Sequence, residues 1–136
     1  MSEWNAFDKI SKSKGIWLID SKGNKIIDAV GSMWCNVWGH SNPQLVKAIT
    51  KQTKQIQHSS LFNLTNEPVE KLAKNLIKIS PGMNKVFYSD NGSSAMEIAI
   101  KMALQYWSNI GETKKTQIAT LENGYHGDTF GAMSVG

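Results

Sequence analysis

Lys85-Val86-Phe87-Tyr88-Ser89-Asp90-Asn91-Gly92-Ser93-Ser94-Ala95-Met96-Glu97 is the stretch on which the fold turns. Its first five residues are rich in β-branched and aromatic side chains and contain no breaker, which predicts a short buried strand. Asp90 to Ser94 then form a corner of residues that bond their own backbone or tolerate unusual angles. Ser94 and Glu97 have the spacing of a capping box. Beyond them Met96, Ala99, Ile100, Ala103 and Trp107 recur at helical spacing. A strand that feeds a small polar corner and opens a helix suits an anion: the first-turn N–H groups lack intrahelical partners and the dipole is positive there. Gly92 would let the anion approach the backbone closely. An ordinary capped turn explains the same shape with fewer assumptions.

The sequence downstream shifts that balance. A polar link, Ser108 to Thr116, leads to a second strand-like run, Gln117 to Leu121. Strand, helix and strand make a βαβ unit, which implies a parallel sheet with a right-handed crossover. Ligands of such sheets sit beyond the carboxyl ends of the strands. The loops after Ser89 and after Leu121 are therefore expected on one edge. The second loop, Glu122-Asn123-Gly124-Tyr125-His126-Gly127-Asp128-Thr129, sets Tyr125 and His126 between glycines. An aromatic ring beside an anion pocket suits a flat heterocycle that carries a phosphate. The plainer alternative is that Tyr125 covers the sheet edge. His126 and Asp128 are expected to form a hydrogen-bonded loop pair.

Upstream, Ile16 to Asp20 and Lys25 to Val30 are two strand-like runs around the turn Ser21-Lys22-Gly23-Asn24, a β-hairpin. Met1 to Gly15 is polar with no clear period. Gly31 to His40 is a loop carrying Trp34 and Trp38. Asn42 and Pro43 start a helix as cap and first-turn proline, and Leu45, Ile49 and Ile56 give it an apolar face. A second amphipathic helix opens at Asn66-Glu67-Pro68, carries Val69, Leu72, Ala73, Leu76 and Ile77 on one face, and ends at Ser80-Pro81-Gly82.

Composition narrows the classes. The 136 residues are 40% hydrophobic and 19% charged, which argues against disorder. The net charge of +4 comes from dispersed lysines, a solvated surface rather than a nucleic-acid stripe. Apolar runs are too short for a membrane span, so no membrane partner is expected. The one cysteine, Cys35, excludes an internal disulfide, fits a reducing cytoplasm, and is expected as a buried, inert thiol. No Walker pattern occurs, and Gly124, Gly127 and Gly131 lack the dinucleotide spacing. No pair among His40, His58 and His126 has the spacing of a common zinc motif, so no metal is expected.

Tyr88 to Glu97, together with Gly124-Tyr125-His126-Gly127-Asp128-Thr129-Phe130-Gly131-Ala132-Met133-Ser134-Val135-Gly136, resembles the class III, fold-type I aminotransferases that use pyridoxal 5'-phosphate. Trp34, Asn36, Val37, Gly39 and His40 are similar to a substrate-site loop of that family. The second run and the tryptophan loop are most similar to its branch in biotin synthesis. That likeness implies S-adenosylmethionine as amino donor and 8-amino-7-oxononanoate as acceptor. Other class III ω-amino acid or diamine aminotransferases, and lysine as donor, stay open, as does a non-enzymatic phosphate-binding module.

The resemblance implies roles residue by residue. Gly92 and Ser93 would hold the cofactor phosphate, and Tyr125 would lie by the cofactor ring and the substrate. Met33 and Trp34 would stand near the substrate, Met33 replacing the tryptophan usual there. The family's Schiff-base lysine and the acid facing the pyridine nitrogen lie downstream of Gly136, so no catalytic residue is expected within this chain. The expected fold class is α/β, a fold-type I fragment. Residues 1–57 would belong to the N-terminal small domain and 58–136 would begin the cofactor-binding large domain, with both ends cut. The whole enzyme is expected to be a cytoplasmic homodimer, and the fragment alone inactive.

Overall fold

A computed structural model describes residues 8–136, which divide into two units between Asn66 and Glu67. In the first unit three antiparallel strands, β1 (Ile10–Lys14), β2 (Trp17–Asp20) and β3 (Lys25–Ile27), lie in that order. The hairpin between β2 and β3 is the expected one, and Asp20 explains why it closes. Its buried carboxylate accepts the N–H groups of Lys22 and Asn24 and the side-chain amide of Asn24, each at 2.8 Å. These bonds, the Asn24 side-chain amide foremost, hold the Asp20 carboxyl below its ordinary range against the opposing effect of burial. β1 has no periodic signal in sequence. It pairs with β2 through a register that shifts between Ile10 and Lys12, and such an irregularity erases a clean alternation. Residues 1–7 of the polar N-terminal stretch lie outside the described residues.

After β3, which stops at Ile27 rather than Val30, comes a single turn, α1 (Gly31–Trp34), then α2 (Pro43–Gln55). The start of α2 is as expected: the Asn42 side chain accepts from Gln44 and Leu45 N–H at 2.9 and 3.3 Å, and Pro43 occupies the first turn. Cys35 is exposed, not buried as its apolar neighbours suggested, because those neighbours are themselves at the surface.

The second unit holds α3 (Glu67–Ile79), α4 (Gly92–Asn109) and a short α5 (Phe130–Met133). On α4 the half-buried stripe runs through Met96, Ile100, Leu104 and Trp107, while Ala99 and Ala103 are exposed. Stretches 85–89 and 117–121, expected as parallel strands, are not strands: among the described residues neither has a sheet partner. A strand exists only by pairing its backbone, and its apolar pattern survives without the pairing. The Tyr88 hydroxyl instead ties its stretch to α3 by donating to the Val69 carbonyl at 2.8 Å.

Buried apolar residues among those described are Ala132 and Val135 alone. Both lie beside the loop that ends at Thr129, so the tightest packing of the second unit is next to the corner of interest. Among the described residues no helix is long and apolar enough to cross a membrane.

Candidate functional site

Asn91, not Ser94, caps α4. Its side chain accepts the Ser94 N–H at 2.8 Å, and its carbonyl accepts the Ala95 N–H at 3.0 Å. The capping box read from Ser94 and Glu97 does not form, because Asn91 already serves that N–H and Glu97 turns elsewhere. With Ser94 satisfied, the N–H groups of Gly92 and Ser93 have no hydrogen-bond acceptor among the described residues. A Cβ added to Gly92 would meet nothing within 4 Å. Two free amides and open space at the positive end of an 18-residue helix suit a phosphate oxygen.

Ser93 faces the second loop. Its hydroxyl donates to Thr129 Oγ1 at 3.0 Å and accepts the Thr129 N–H at 2.9 Å. The Thr129 hydroxyl donates to Glu97 Oε2 at 2.6 Å, and the same oxygen accepts from Gly131 and Ala132 N–H at 2.9 and 3.3 Å. The Thr129 bond first, then the two backbone N–H groups, hold the Glu97 carboxyl below its ordinary range despite partial burial. The two loops expected on one edge thus do meet, through side chains rather than a shared sheet. Glu97 and Thr129 are the residues that sequence reasoning missed. Both stood in the quoted motifs, but spacing alone assigned Glu97 to a cap on its own helix.

Tyr125 lies in the same loop, 73% exposed, with its hydroxyl donating to Asp128 Oδ2 at 3.0 Å. That bond and the Asp128 charge push the Tyr125 phenol above its ordinary value. His126 does not pair with Asp128, which is engaged by Tyr125. Its Nε2 lies 3.4 Å from Thr120 Oγ1, and the Thr120 hydroxyl donates to the Val135 carbonyl.

Met33 and Trp34 belong to the first unit, where α1 is a left-handed turn. Gly31, Ser32, Met33 and Trp34 have φ of 58°, 50°, 58° and 69°. Asp28 holds this turn from below. Its Oδ1 accepts the Ser32 N–H at 2.8 Å, and its Oδ2 accepts the Ser32 hydroxyl at 2.7 Å and lies 2.6 Å from His40 Nε2. The Ser32 N–H first, then its hydroxyl and His40, lower the Asp28 carboxyl to about 2. The turn leaves Met33 and Trp34 outward, 65% and 72% exposed. Apolar side chains presented this way are available to pack on a ligand.

Comparison with known proteins places the chain in a family. The profile of class-III aminotransferases matches residues 2–136. The chain is 53% identical over 131 residues to the adenosylmethionine-8-amino-7-oxononanoate aminotransferase of Staphylococcus aureus, covering 93% of this chain and 29% of that protein. It is 50% identical over 126 residues to the enzyme of that name from Aquifex aeolicus, covering 92% of this chain and 28% of the relative. The crystal structure of the Methanocaldococcus jannaschii enzyme of the same name superposes with a TM-score of 0.92 at 47% identity, over 96% of this chain and 30% of that one. The chain therefore spans under a third of the length of these relatives, and its fold is the α/β fold of the same segment in pyridoxal-phosphate aminotransferases. From Ser2 to Gly136 this chain belongs to the class-III aminotransferase family.

Proposed function

We propose that the chain contributes the phosphate-holding corner and the substrate loop of an aminotransferase that moves the amino group of S-adenosylmethionine onto 8-amino-7-oxononanoate. The product would be 7,8-diaminononanoate, for biotin synthesis. The shared name of the relatives supports the substrates. The observation that carries the site is the hydrogen-bonded junction of Ser93 with Thr129, which joins the open N-terminus of α4 to the loop bearing Tyr125.

In this reading the Gly92 and Ser93 N–H groups take phosphate oxygens, and the Ser93 hydroxyl turns from Thr129 to add a third donor. The ring of Tyr125 lies along the cofactor ring, and its hydroxyl, kept protonated by Asp128, stays a donor. Met33 and Trp34 form an apolar wall for the substrate. Pyridoxal 5'-phosphate, when bound, supplies the electron sink on which amino transfer depends. In this reading, as the family resemblance implies, the lysine that would hold it and the acid that would face its ring nitrogen are not among these 136 residues. The same reading takes 1–57 as small domain, 58–136 as large domain, and the enzyme as a cytoplasmic homodimer.

Ser93→Ala in the full-length protein tests the assignment. A hydrogen bond to a charged group is worth about 1.5–3 kcal/mol, so the Kd for pyridoxal phosphate should rise about tenfold or more. An unchanged Kd would remove Ser93 from the site. Turnover with S-adenosylmethionine against lysine identifies the donor.

A further inference from the structure

Glu97 lies one turn along α4 from Ser93, where the helix dipole favours a carboxylate but an uncommitted negative charge would repel a phosphate bound at the same helix end. Its charge is instead committed: Oε2 collects the Thr129 hydroxyl, the Gly131 N–H and the Ala132 N–H. Contact there is close enough that a Cβ on Gly131 would fall 2.7 Å from either carboxylate oxygen. Thr129 passes the constraint on, since its N–H pins Ser93 Oγ at 2.9 Å. Gly127 adds a wall, because a Cβ there would clash with the same oxygen. Ser93 is thus held by Thr129, which is in turn held by Glu97.

We propose, resting on the cofactor reading above, that Glu97 is a positioning residue for the cofactor phosphate, acting through Thr129 on the Ser93 hydroxyl. The carboxylate holds the 127–132 segment against α4. Thr129 N–H then occupies one lone pair of Ser93 Oγ and fixes the oxygen, while the hydroxyl proton remains free to turn from Thr129 Oγ1 to a phosphate oxygen. Without the carboxylate the N–H is no longer held in place, and Ser93 loses its orientation. An ordinary cap on α5 would use the same Gly131 and Ala132 bonds but would have no coupling to Ser93.

The test is a double-mutant cycle in the full-length protein, with pyridoxal 5'-phosphate affinity measured by equilibrium dialysis. Glu97→Gln keeps the shape and removes the charge. It should raise Kd about fivefold in the wild-type background and less than about twofold in the Ser93→Ala background. Thr129→Ala should repeat that pattern, and Thr129→Ser, which keeps both donors, should restore affinity. The phosphorus resonance of the bound cofactor should move in Glu97→Gln and stay put in Asn42→Ala, a cap in the other unit. Thermal unfolding of each variant without cofactor checks that it folds, and Thr129→Ala serves if Glu97→Gln does not. Equal costs in both backgrounds, or none in either, overturn the positioning role while leaving the cofactor reading intact. Absence of saturable binding by the wild-type protein overturns both.

Discussion

Asp28 Oδ2 lies 2.6 Å from His40 Nε2, and these two residues, twelve apart in sequence, bracket the whole left-handed turn that presents Met33 and Trp34. Left-handed backbone costs about 1–2 kcal/mol for each residue with a side chain, and Ser32, Met33 and Trp34 all adopt it. Such a segment persists only where its surroundings over-determine it. Asp28 does this by taking both the N–H and the hydroxyl of Ser32 while facing His40.

The first prediction follows from the charge of Asp28. A carboxyl lowered from 3.8 to about 2 contributes stability that is fully present above the ordinary value and is lost as pH falls through the lowered one. Acid titration followed by tryptophan fluorescence should therefore show a loss between pH of about 4 and about 2 that Asp28→Asn lacks. An identical acid profile in the variant would remove Asp28 as the holder of the turn.

A pair of glycines tests the Ser93 wall. Gly82 and Gly127 have φ of +86° and +117°, but a Cβ at Gly82 meets nothing within 4 Å. Gly82→Ala should cost about 1 kcal/mol, the backbone effect alone. Gly127→Ala adds a clash with Ser93 and should cost roughly 2–4 kcal/mol and weaken cofactor binding. Chemical denaturation of the two variants gives the comparison, and equal costs would mean that Gly127 is not packed on Ser93.

Capping gives a third. Asn91→Ala and Asn42→Ala should each destabilise by about 1 kcal/mol. Ser94→Ala should cost less than about 0.5 kcal/mol, since only its backbone takes part. A capping box would reverse the order of Asn91 and Ser94, so denaturant midpoints of the two variants decide between them.

How far the sequence could be read depends on where each interaction partner sits. Asn42-Pro43 and the turn after Asp20 involve neighbours within four residues, and both formed as expected. The runs 85–89 and 117–121 carry strand-like composition, yet strands depend on distant neighbours, and the chain has under a third of its relatives' length. The corner at Gly92 and the Tyr125 loop were legible as a juxtaposed pair. The Glu97–Thr129 bond was not, for it joins residues 32 apart that no periodicity relates. Asp28 and His40 were hidden for the same reason.

Tyr125 supports the last prediction. Its hydroxyl donates to Asp128 Oδ2 at 3.0 Å, so losing the phenolic proton would break a hydrogen bond and set two negative charges side by side. The bond first, then the Asp128 charge, raise the phenol above 10.0. The sign is that of a stabilised neutral form: the contribution is fully present below the ordinary phenol value and fades as pH rises through the shifted one. Asp128→Asn keeps an acceptor but removes the charge, so one of the three phenols should titrate earlier in an ultraviolet difference titration. Tyr125→Phe should remove that same titration, which assigns it. In the full-length protein Tyr125→Phe should still bind cofactor, since the ring face remains, but turn over more slowly or bind substrate less well. Tyr125→Ala should harm both. If neither change alters binding or turnover, Tyr125 serves only to cover the loop, and the Asp128 bond is structural.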